Sequence, residues 1–577
     1  MNSEIKNCQN CKQEFTIESE DFDFYEKVKV PAPTFCPECR MQRRMIFMNE
    51  RALYKRQCDL CHKDVISVFP ANATHPVYCT PCWWSDNWNP LIYGKDYDFS
   101  KSFFQQFKEL MSVFPWPALD TIEPSMVNSP YCSISSYLKN CYFFHNSDYS
   151  ENSAYGAFTE RAKDSYDLFT IDGCEQCYEG VNLVNCNCAL FSMNCENCHN
   201  VSFSRDLTGC SYCFGCINLR NKNYYIFNEP YSKEEYFSKL KTFDAGSYKA
   251  VQGVKENAKS LFLKSPRRFA HSRRNSKTTG EYVNQSKNTQ FAYQVIGAED
   301  SKYVHFLIIA PTKDSYDLTM WGGNANRLYE CMGCGGGQDD VKFSYGCWSD
   351  ATMNLEYCMV VKVPCTNLFG CIGLRRKSYC ILNKQYTKEE YNLLCDKIIK
   401  HMNDAPFIDK LGKVYKYGEF FPAELGQFAY NESVAQQFFP LDKQEAIKQG
   451  YNWKDSEERN YKIDLKSQNL PDHIKDVSDD IAGKVIECAH KGECNEQCTT
   501  AYKIIPQELQ FYKKMDLPLP RLCPNCRHYQ RLAQRNPIKL WHRQCMNVGC
   551  KNEFETSYAP ARPEIIYCET CYNNEVA

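Results

Sequence analysis

The sequence is poor in histidine, has no long apolar run and carries no excess of charge of one sign, and each lack removes a class of function. Eleven histidines in 577 residues leave little material for histidine-rich catalysis. No His/carboxylate set at ligand spacing, phosphate loop or nucleophile motif stands out, so no catalytic residue is assigned. No apolar stretch reaches the length that crosses a bilayer. The formal net charge is −2, from 68 Lys and Arg against 70 Asp and Glu, so any basic surface for a polyanion has to be local. The opening Met1-Asn2-Ser3-Glu4-Ile5-Lys6 has no apolar signal core. These lacks give the expectation of a cytoplasmic protein that does not enter a membrane.

Cysteine is the opposite case. There are 36, and in a reducing compartment they are expected as thiols and metal ligands; a secreted disulfide protein is the alternative. Sixteen fall into four quartets of paired knuckles. The first is Cys8, Cys11, Cys36 and Cys39, and the second is Cys58, Cys61, Cys79 and Cys82. Near the other end come Cys494, Cys498, Cys523 and Cys526, then Cys545, Cys550, Cys568 and Cys571. Zinc takes four soft ligands in a tetrahedron, and a knuckle supplies two from one tight turn. The expectation is about four structural Zn2+, since four thiolates leave no open position for water activation. In the third quartet Cys488 and His490 compete with Cys494, and Cys494 is preferred because Cys498 then aligns with Cys11.

The two ends match beyond their cysteines. Phe24-Tyr25-Glu26-Lys27 and Cys36-Pro37-Glu38-Cys39-Arg40 correspond to Phe511-Tyr512-Lys513-Lys514 and Cys523-Pro524-Asn525-Cys526-Arg527. Arg56-Gln57-Cys58 matches Arg543-Gln544-Cys545, and Tyr78-Cys79 matches Tyr567-Cys568. The run from Cys8-Gln9-Asn10-Cys11 through Phe24-Tyr25 to Phe35-Cys36-Pro37-Glu38-Cys39-Arg40 resembles the bacterial "probable zinc-ribbon" treble-clef family. Leu517-Pro518-Leu519-Pro520 and Tyr417-Gly418-Glu419-Phe420-Phe421-Pro422 are similar to segments of large multi-zinc-ribbon proteins. The resemblance implies a zinc-bound treble clef and no particular activity.

The middle is repetitive too. Aromatics recur at Tyr142, Tyr155, Tyr166 and Tyr178, and later at Tyr212 and Tyr224, mostly preceded by a small residue. Short polar-turn units at near-constant spacing read as a β-solenoid-like repeat. A second copy follows: Lys163-Asp164-Ser165-Tyr166-Asp167-Leu168 recurs as Lys313-Asp314-Ser315-Tyr316-Asp317-Leu318. Ser232 with Glu235, and Thr387 with Glu390, form capping boxes for a helix closing each copy. Cysteines inside the copies, such as Cys174, Cys177, Cys195 and Cys198, are read as stacked inward thiols ahead of further metal sites. Asp167, Asp172 and Asp206 are read as turn residues.

The fold class is therefore mixed and β-rich. Paired treble-clef or zinc-ribbon modules at both ends flank two copies of a β-solenoid-like repeat, with short helices. The boundaries are paired zinc modules over 1–92 and 486–577, a connector over 93–127 and a first β-repeat domain over 128–242. A basic linker over 243–287, a second β-repeat domain over 288–399 and a mixed helix and loop segment over 400–485 complete the chain.

In a treble clef the last knuckle opens a helix. Here that helix carries Arg40, Arg43 and Arg44, with Lys55 and Arg56 beyond; in the C-terminal copy Arg527, Arg531 and Arg535 recur every four residues, before Lys539 and Arg543. Basic helices with nearby aromatics suit phosphate contact and base stacking. The competing explanation is that these arginines offset the charge of the zinc thiolates. Three functions compete: a zinc-stabilised scaffold that binds RNA or a ribonucleoprotein through these helices, a scaffold for protein partners that uses the repeat surface, and an enzyme built on a β-solenoid.

Overall fold

In the computed structural model, which describes residues 2–122, 125–323, 325, 327–349, 351–455 and 462–576, the protein is β-rich with few and mostly short helices. The centre is made of curled parallel sheets: a ten-stranded sheet reaching from Ser133–Ser136 to Glu229–Pro230, a seven-stranded sheet and a five-stranded sheet. In the first sheet each parallel strand pairs with the chain twelve residues on, as Ala154, Tyr166 and Tyr178 do in register.

The local cause is a backbone rhythm of three. The chain enters the left-handed region at Gln176, Glu179, Asn182 and Asn185, and again at Asn194, Asn197 and Asn200. Asn and Asp tolerate this region better than other residues with a Cβ. A corner every third residue and a partner every twelfth give four corners per turn, so the sheet curls on itself.

The residue after each corner points inward and has little room. One inward column runs Cys141, Ser153, Ser165, Cys177, Ala189, Val201 and Cys213, all buried. Serine and cysteine do the same work there. Ser165 Oγ accepts from the Cys177 amide at 2.9 Å, as Ser153 Oγ does from the Ser165 amide at 3.1 Å. Cys174 Sγ accepts from the Cys186 amide and Cys132 Sγ from the Phe144 amide, both at 3.4 Å. These inward hydroxyls and thiols thus satisfy a buried amide one turn on. Outside, amide side chains stack: Asn128 donates to Asn140 and Asn140 to Asn152, each at 3.0 Å.

The first and last of these sheets end on an antiparallel strand, Glu229–Pro230 and Lys384–Gln385. The helices Lys233–Leu240 and Lys388–Asp404 follow, with Ser232 and Thr387 as N-caps. Two further helices cover sheet walls. Tyr248–Lys264 packs Val251 and Ala258 against Phe203 and Phe214. Phe103–Val113 places Phe103 5.2 Å from Tyr357 and 5.3 Å from Phe369.

One span differs from expectation, and a second takes part in the core. The span 243–287, read as a basic linker, contains the helix Tyr248–Lys264 and is docked at its basic stretch. Arg267 and Arg268 pair in parallel with Ile566 and Tyr567. Arg267 reaches Asp206 at 3.0 Å, and Arg268 reaches Glu569 at 2.6 Å. The strand Ser276–Asn284 already belongs to the second curled sheet. The segment 400–485 is core as well: Tyr415, Tyr417, Phe420 and Phe421 are buried beside the N-terminal modules.

Cys177→Ser is expected to lower stability by about 1 kcal/mol or less, because the neighbouring turn already uses serine in that column. Cys177→Asp, which buries an unpaired charge, should cost several-fold more. Neither should change the metal content of the folded protein, and thermal unfolding with metal analysis checks both.

Candidate metal centres and the docking of their helices

Each terminal module is built alike. A hairpin carries the first knuckle, as in Glu4–Asn7 with Glu14–Ile17. The second knuckle opens a helix, with Cys36, Cys79 and Cys523 at the N-caps of Pro37–Met45, Thr80–Trp84 and Pro524–Leu532. Proline at the first helical position suits that start, where the amide is unused.

Four groups of four thiols lie with their sulfurs within 4.8 Å of one another: Cys8, Cys11, Cys36 and Cys39; Cys58, Cys61, Cys79 and Cys82; Cys488, Cys498, Cys523 and Cys526; and Cys545, Cys550, Cys568 and Cys571. Cross-knuckle separations are 3.8 Å for Cys11–Cys36, 3.8 Å for Cys61–Cys79 and 3.9 Å for Cys550–Cys568. A tetrahedron with Zn–S arms of 2.3 Å has edges of roughly 3.8 Å, so these groups are compatible with zinc-binding modules. All the cysteines are free of disulfides. Within a group the thiols compete for ionisation. Hydrogen bonds from Cys36 and Cys39 hold Cys8 far below the usual thiol range, while hydrogen bonding to Cys36 and Cys8 drives Cys39 far above it. A dication at the centre removes that conflict. Among the described residues no such four-thiol group lies in the sheets.

The third group corrects the sequence alignment, for Cys488 and not Cys494 completes it. In all four modules the amide of the third ligand donates to the sulfur of the first at 3.2 Å: Cys36 to Cys8, Cys79 to Cys58, Cys568 to Cys545, and Cys523 to Cys488. Cys488 thus stands where Cys8 stands. The knuckle is long, and Cys494 falls inside it beside Cys526 at 3.7 Å.

The arginine helices face inward. Arg40 Nη2 lies 2.8 Å from Asp317 Oδ2, and Arg44 Nη1 lies 3.3 Å from Asp317 Oδ1. Arg43 pairs with Glu330 at 2.6 Å and with Glu419 at 3.0 Å. In the C-terminal copy Arg527 Nη1 lies 3.1 Å from Asp167 Oδ2 and Arg531 Nη1 2.8 Å from Asp167 Oδ1. These side chains are at most 4 % exposed, so no phosphate backbone reaches them. This corrects their expected role as nucleic-acid contacts. Arg535 is also turned inward, bonded to Gln294 at 2.9 Å and lying over Phe169. Arg56 holds Asp59 at 2.8 Å and the Pro70 carbonyl at 2.9 Å. Arg543 is half-buried and bonds the carbonyl of Ala559 at 3.3 Å. Lys55 and Lys539 are exposed, Lys539 with Glu38 at 3.9 Å.

The acidic partners are a matched pair, of which the sequence reading placed Asp167 in a turn. Asp167 and Asp317 both sit at left-handed corners, in the same Asp-Ser-Tyr-Asp motif. The tyrosine before each is also used: Phe24 stacks on Tyr316 at 3.8 Å, and Phe511 on Tyr166 at 4.4 Å. Asp206 is a third buried corner acid, held well below the usual carboxylate range; burial pushes it up, but the His271 hydrogen bond and charge outweigh that. Asp172 is more open and pairs with Arg161. His271 lies between Asp206 at 3.0 Å and Glu281 at 2.6 Å. Burial alone would lower its pKa, but Glu281 and the hydrogen bond to Asp206 push it up to about 9.

No family model and no curated protein matches this chain. Among solved structures, a putative acetyltransferase from Desulfovibrio desulfuricans G20 is 12 % identical over 49 % of this chain and 76 % of its own, with a TM-score of 0.10. A likeness that slight carries no argument. No helix among the described residues is long and apolar enough to cross a membrane.

Asp317→Asn and Asp167→Asn should each cost about 3–5 kcal/mol, because each leaves one buried guanidinium group, Arg40 or Arg531, without its anion, and a second, Arg44 or Arg527, with only a glutamate, Glu330 or Glu508. Arg161→Ala, on the exposed pair, should change stability by about 1 kcal/mol or less; denaturant unfolding of the three variants checks the contrast. His271 has a raised folded pKa, so its contribution is full below its ordinary value of 6.5 and is lost as pH rises through about 9. The stability gap between wild type and His271→Gln should therefore shrink by about 2–3 kcal/mol over that window, read from unfolding curves at a series of pH values.

Proposed function

We propose that this protein is a non-enzymatic scaffold in which zinc ions shape two pairs of treble-clef modules. The modules clamp two β-solenoids together, and the solenoid walls are the surface offered to a protein partner. The observation that carries this reading is the use of the knuckle arginines: they are spent on Asp167, Asp317, Glu330 and Glu419 inside the protein. A helix buried this way serves assembly and not phosphate recognition. The solenoid walls keep ordered polar and aromatic ladders facing outward. Tyr137 and Tyr149 stack 4.8 Å apart, both more than half exposed, beside the Asn128, Asn140 and Asn152 stack. Exposed tyrosines with aligned amides are the kind of surface that protein interfaces favour.

Zinc supplies the shape of the modules. Units of this size have little core of their own, and closed four-thiolate sites contribute folding energy outright. The reading assigns no catalytic step. RNA or a ribonucleoprotein as partner is left with the exposed Lys55 and Lys539, the latter already facing Glu38.

The tests follow from the difference between buried and exposed groups. Charge reversal at Arg527 and Arg531 should lower the melting temperature sharply, instead of weakening RNA binding in a protein that stays folded. Tyr137→Ser with Tyr149→Ser should leave melting unchanged and abolish capture of whatever protein copurifies with the wild type. RNA bound with a steep salt dependence by a folded Arg527→Glu variant would restore the nucleic-acid reading. Metal analysis should give at least four zinc per chain, and stripping the metal should abolish cooperative unfolding.

A further inference from the structure

The knuckle of the third module is longer than its counterparts. Cys8 and Cys11, like Cys58 and Cys61, are separated by two residues, and Cys545 and Cys550 by four; Cys488 and Cys498 are separated by nine. The insertion brings its own ligand types, His490, Cys494 and Glu496.

These three side chains converge with Cys526. The four ligand atoms lie within 4.8 Å of one another. Cys494 Sγ is 3.7 Å from Cys526 Sγ, close to the roughly 3.8 Å edge of a zinc–thiolate tetrahedron. His490 Nδ1 and Glu496 Oε2 are 3.1 Å apart. Both atoms are shielded from solvent, yet neither makes a hydrogen bond, to the other or to any other group. Two solvent-shielded atoms of ligand type that converge without a hydrogen bond between them are arranged as metal ligands are.

The insertion is also held in place. Gln497 Nε2 donates to the Asn431 carbonyl at 2.7 Å and Asn495 Nδ2 to the Leu441 carbonyl at 2.8 Å, while Asn525 Nδ2 donates back to the Gln497 carbonyl at 2.8 Å. Lys491 and Gly492 reverse the chain through positive φ of 51° and 87°. Cys494 and Cys498 open onto a cleft of about 770 Å3 that is also lined by Tyr54, Trp453 and Lys454.

We propose that His490, Cys494, Glu496 and Cys526 form a second metal site of the third module, taking a divalent cation of the zinc class, with the Cys526 thiolate bridging it to the ion of the Cys488 quartet. The proposal rests on the reading that the thiol quartets hold zinc. Each ion keeps four ligands, and Cys526 uses a second lone pair on its sulfur. The second ion brings two positive charges against one new thiolate and one carboxylate, so the cluster is no more negative than a lone quartet. With imidazole and carboxylate among its ligands and a cleft beside it, this ion is held more weakly than the others and leaves first on chelation.

The test is a metal count on the full-length protein, saturated with Zn2+ and dialysed, followed by the same count after Co2+ substitution. The expected result is five ions per chain, falling to four in His490→Ala and in Glu496→Gln with cooperative unfolding preserved. In the cobalt protein, magnetic coupling between the bridged pair should vanish in His490→Ala. Four ions in the wild type and four in His490→Ala overturn the second site and leave the quartets standing. Four in the wild type and three in Cys494→Ser overturn it differently, by making Cys494 a ligand of the main site. A wild-type count below four removes the zinc reading of the quartets, and the bridged pair with it.

Discussion

One carboxylate holding two arginines at the mouth of a cysteine knuckle organises this molecule, and it occurs twice. Asp317 takes Arg40 and Arg44, and Asp167 takes Arg527 and Arg531. Geometry allows it because arginines four apart lie on one face of a helix, and because an aspartate at a left-handed corner presents its carboxylate away from the sheet wall. The aromatic neighbours fix the approach: Phe24 on Tyr316 and Phe511 on Tyr166 place each preceding helix against the same turn of sheet. A buried ion pair of this kind is weak evidence for stability but costly to break, so it suits specification of which surface meets which.

The specification is crosswise. The first N-terminal module docks on the later sheet through Asp317, while the second module sits where the chain enters the earlier one, pairing Val77 and Tyr78 with Trp116 and Pro117. The C-terminal pair mirrors this. Its first module docks on the earlier sheet through Asp167, and its second pairs Ile566 and Tyr567 with Arg267 and Arg268 at the entry to the later sheet. Each end therefore ties both sheets, and the ends also touch: Arg51 Nε bonds Asn525 Oδ1 at 3.1 Å. The segment after residue 400 fills the space between, with Glu419 closing on Arg43.

How much of this is legible in the sequence follows the range of each interaction. The knuckles are local, so cysteine spacing reveals them; the capping boxes at Ser232 and Thr387 are local too. The crowding of small residues before aromatics signals the curled sheet, although its rhythm of three hides behind aromatics spaced by ten to thirteen residues. The fate of the arginines is not legible. Asp317 lies 277 residues from Arg40 and Asp167 lies 364 from Arg531, and a basic helix reads the same whether its partner is a phosphate or a distant carboxylate. The choice of Cys494 over Cys488 fails for a related reason. Spacing ranks candidates by regularity, whereas the ligand is fixed by the amide of Cys523 donating to Cys488.

The two uses of cysteine clarify what a bound metal would contribute. In the sheets a thiol is interchangeable with serine, because either can accept an amide one turn on, donates to the carbonyl two residues back and fills a narrow turn. In the modules no such exchange is open, since the helix start depends on the knuckle. Cys36 and Cys523 are N-caps whose side chains point at a thiol cluster and make no capping bond. On the zinc reading the metal takes the place of the cap: it draws in the cysteine sulfurs, starts the helix at the following proline, and so aims the arginines one and two turns later. Remove the ion and the helix loses its start, and the aspartates lose the guanidinium groups that make their burial tolerable. Metal binding in a module and its docking on a sheet some 270 or more residues away in sequence are then parts of one cooperative step. In such an arrangement the modules do not act as independent binding units at the ends of a repeat array.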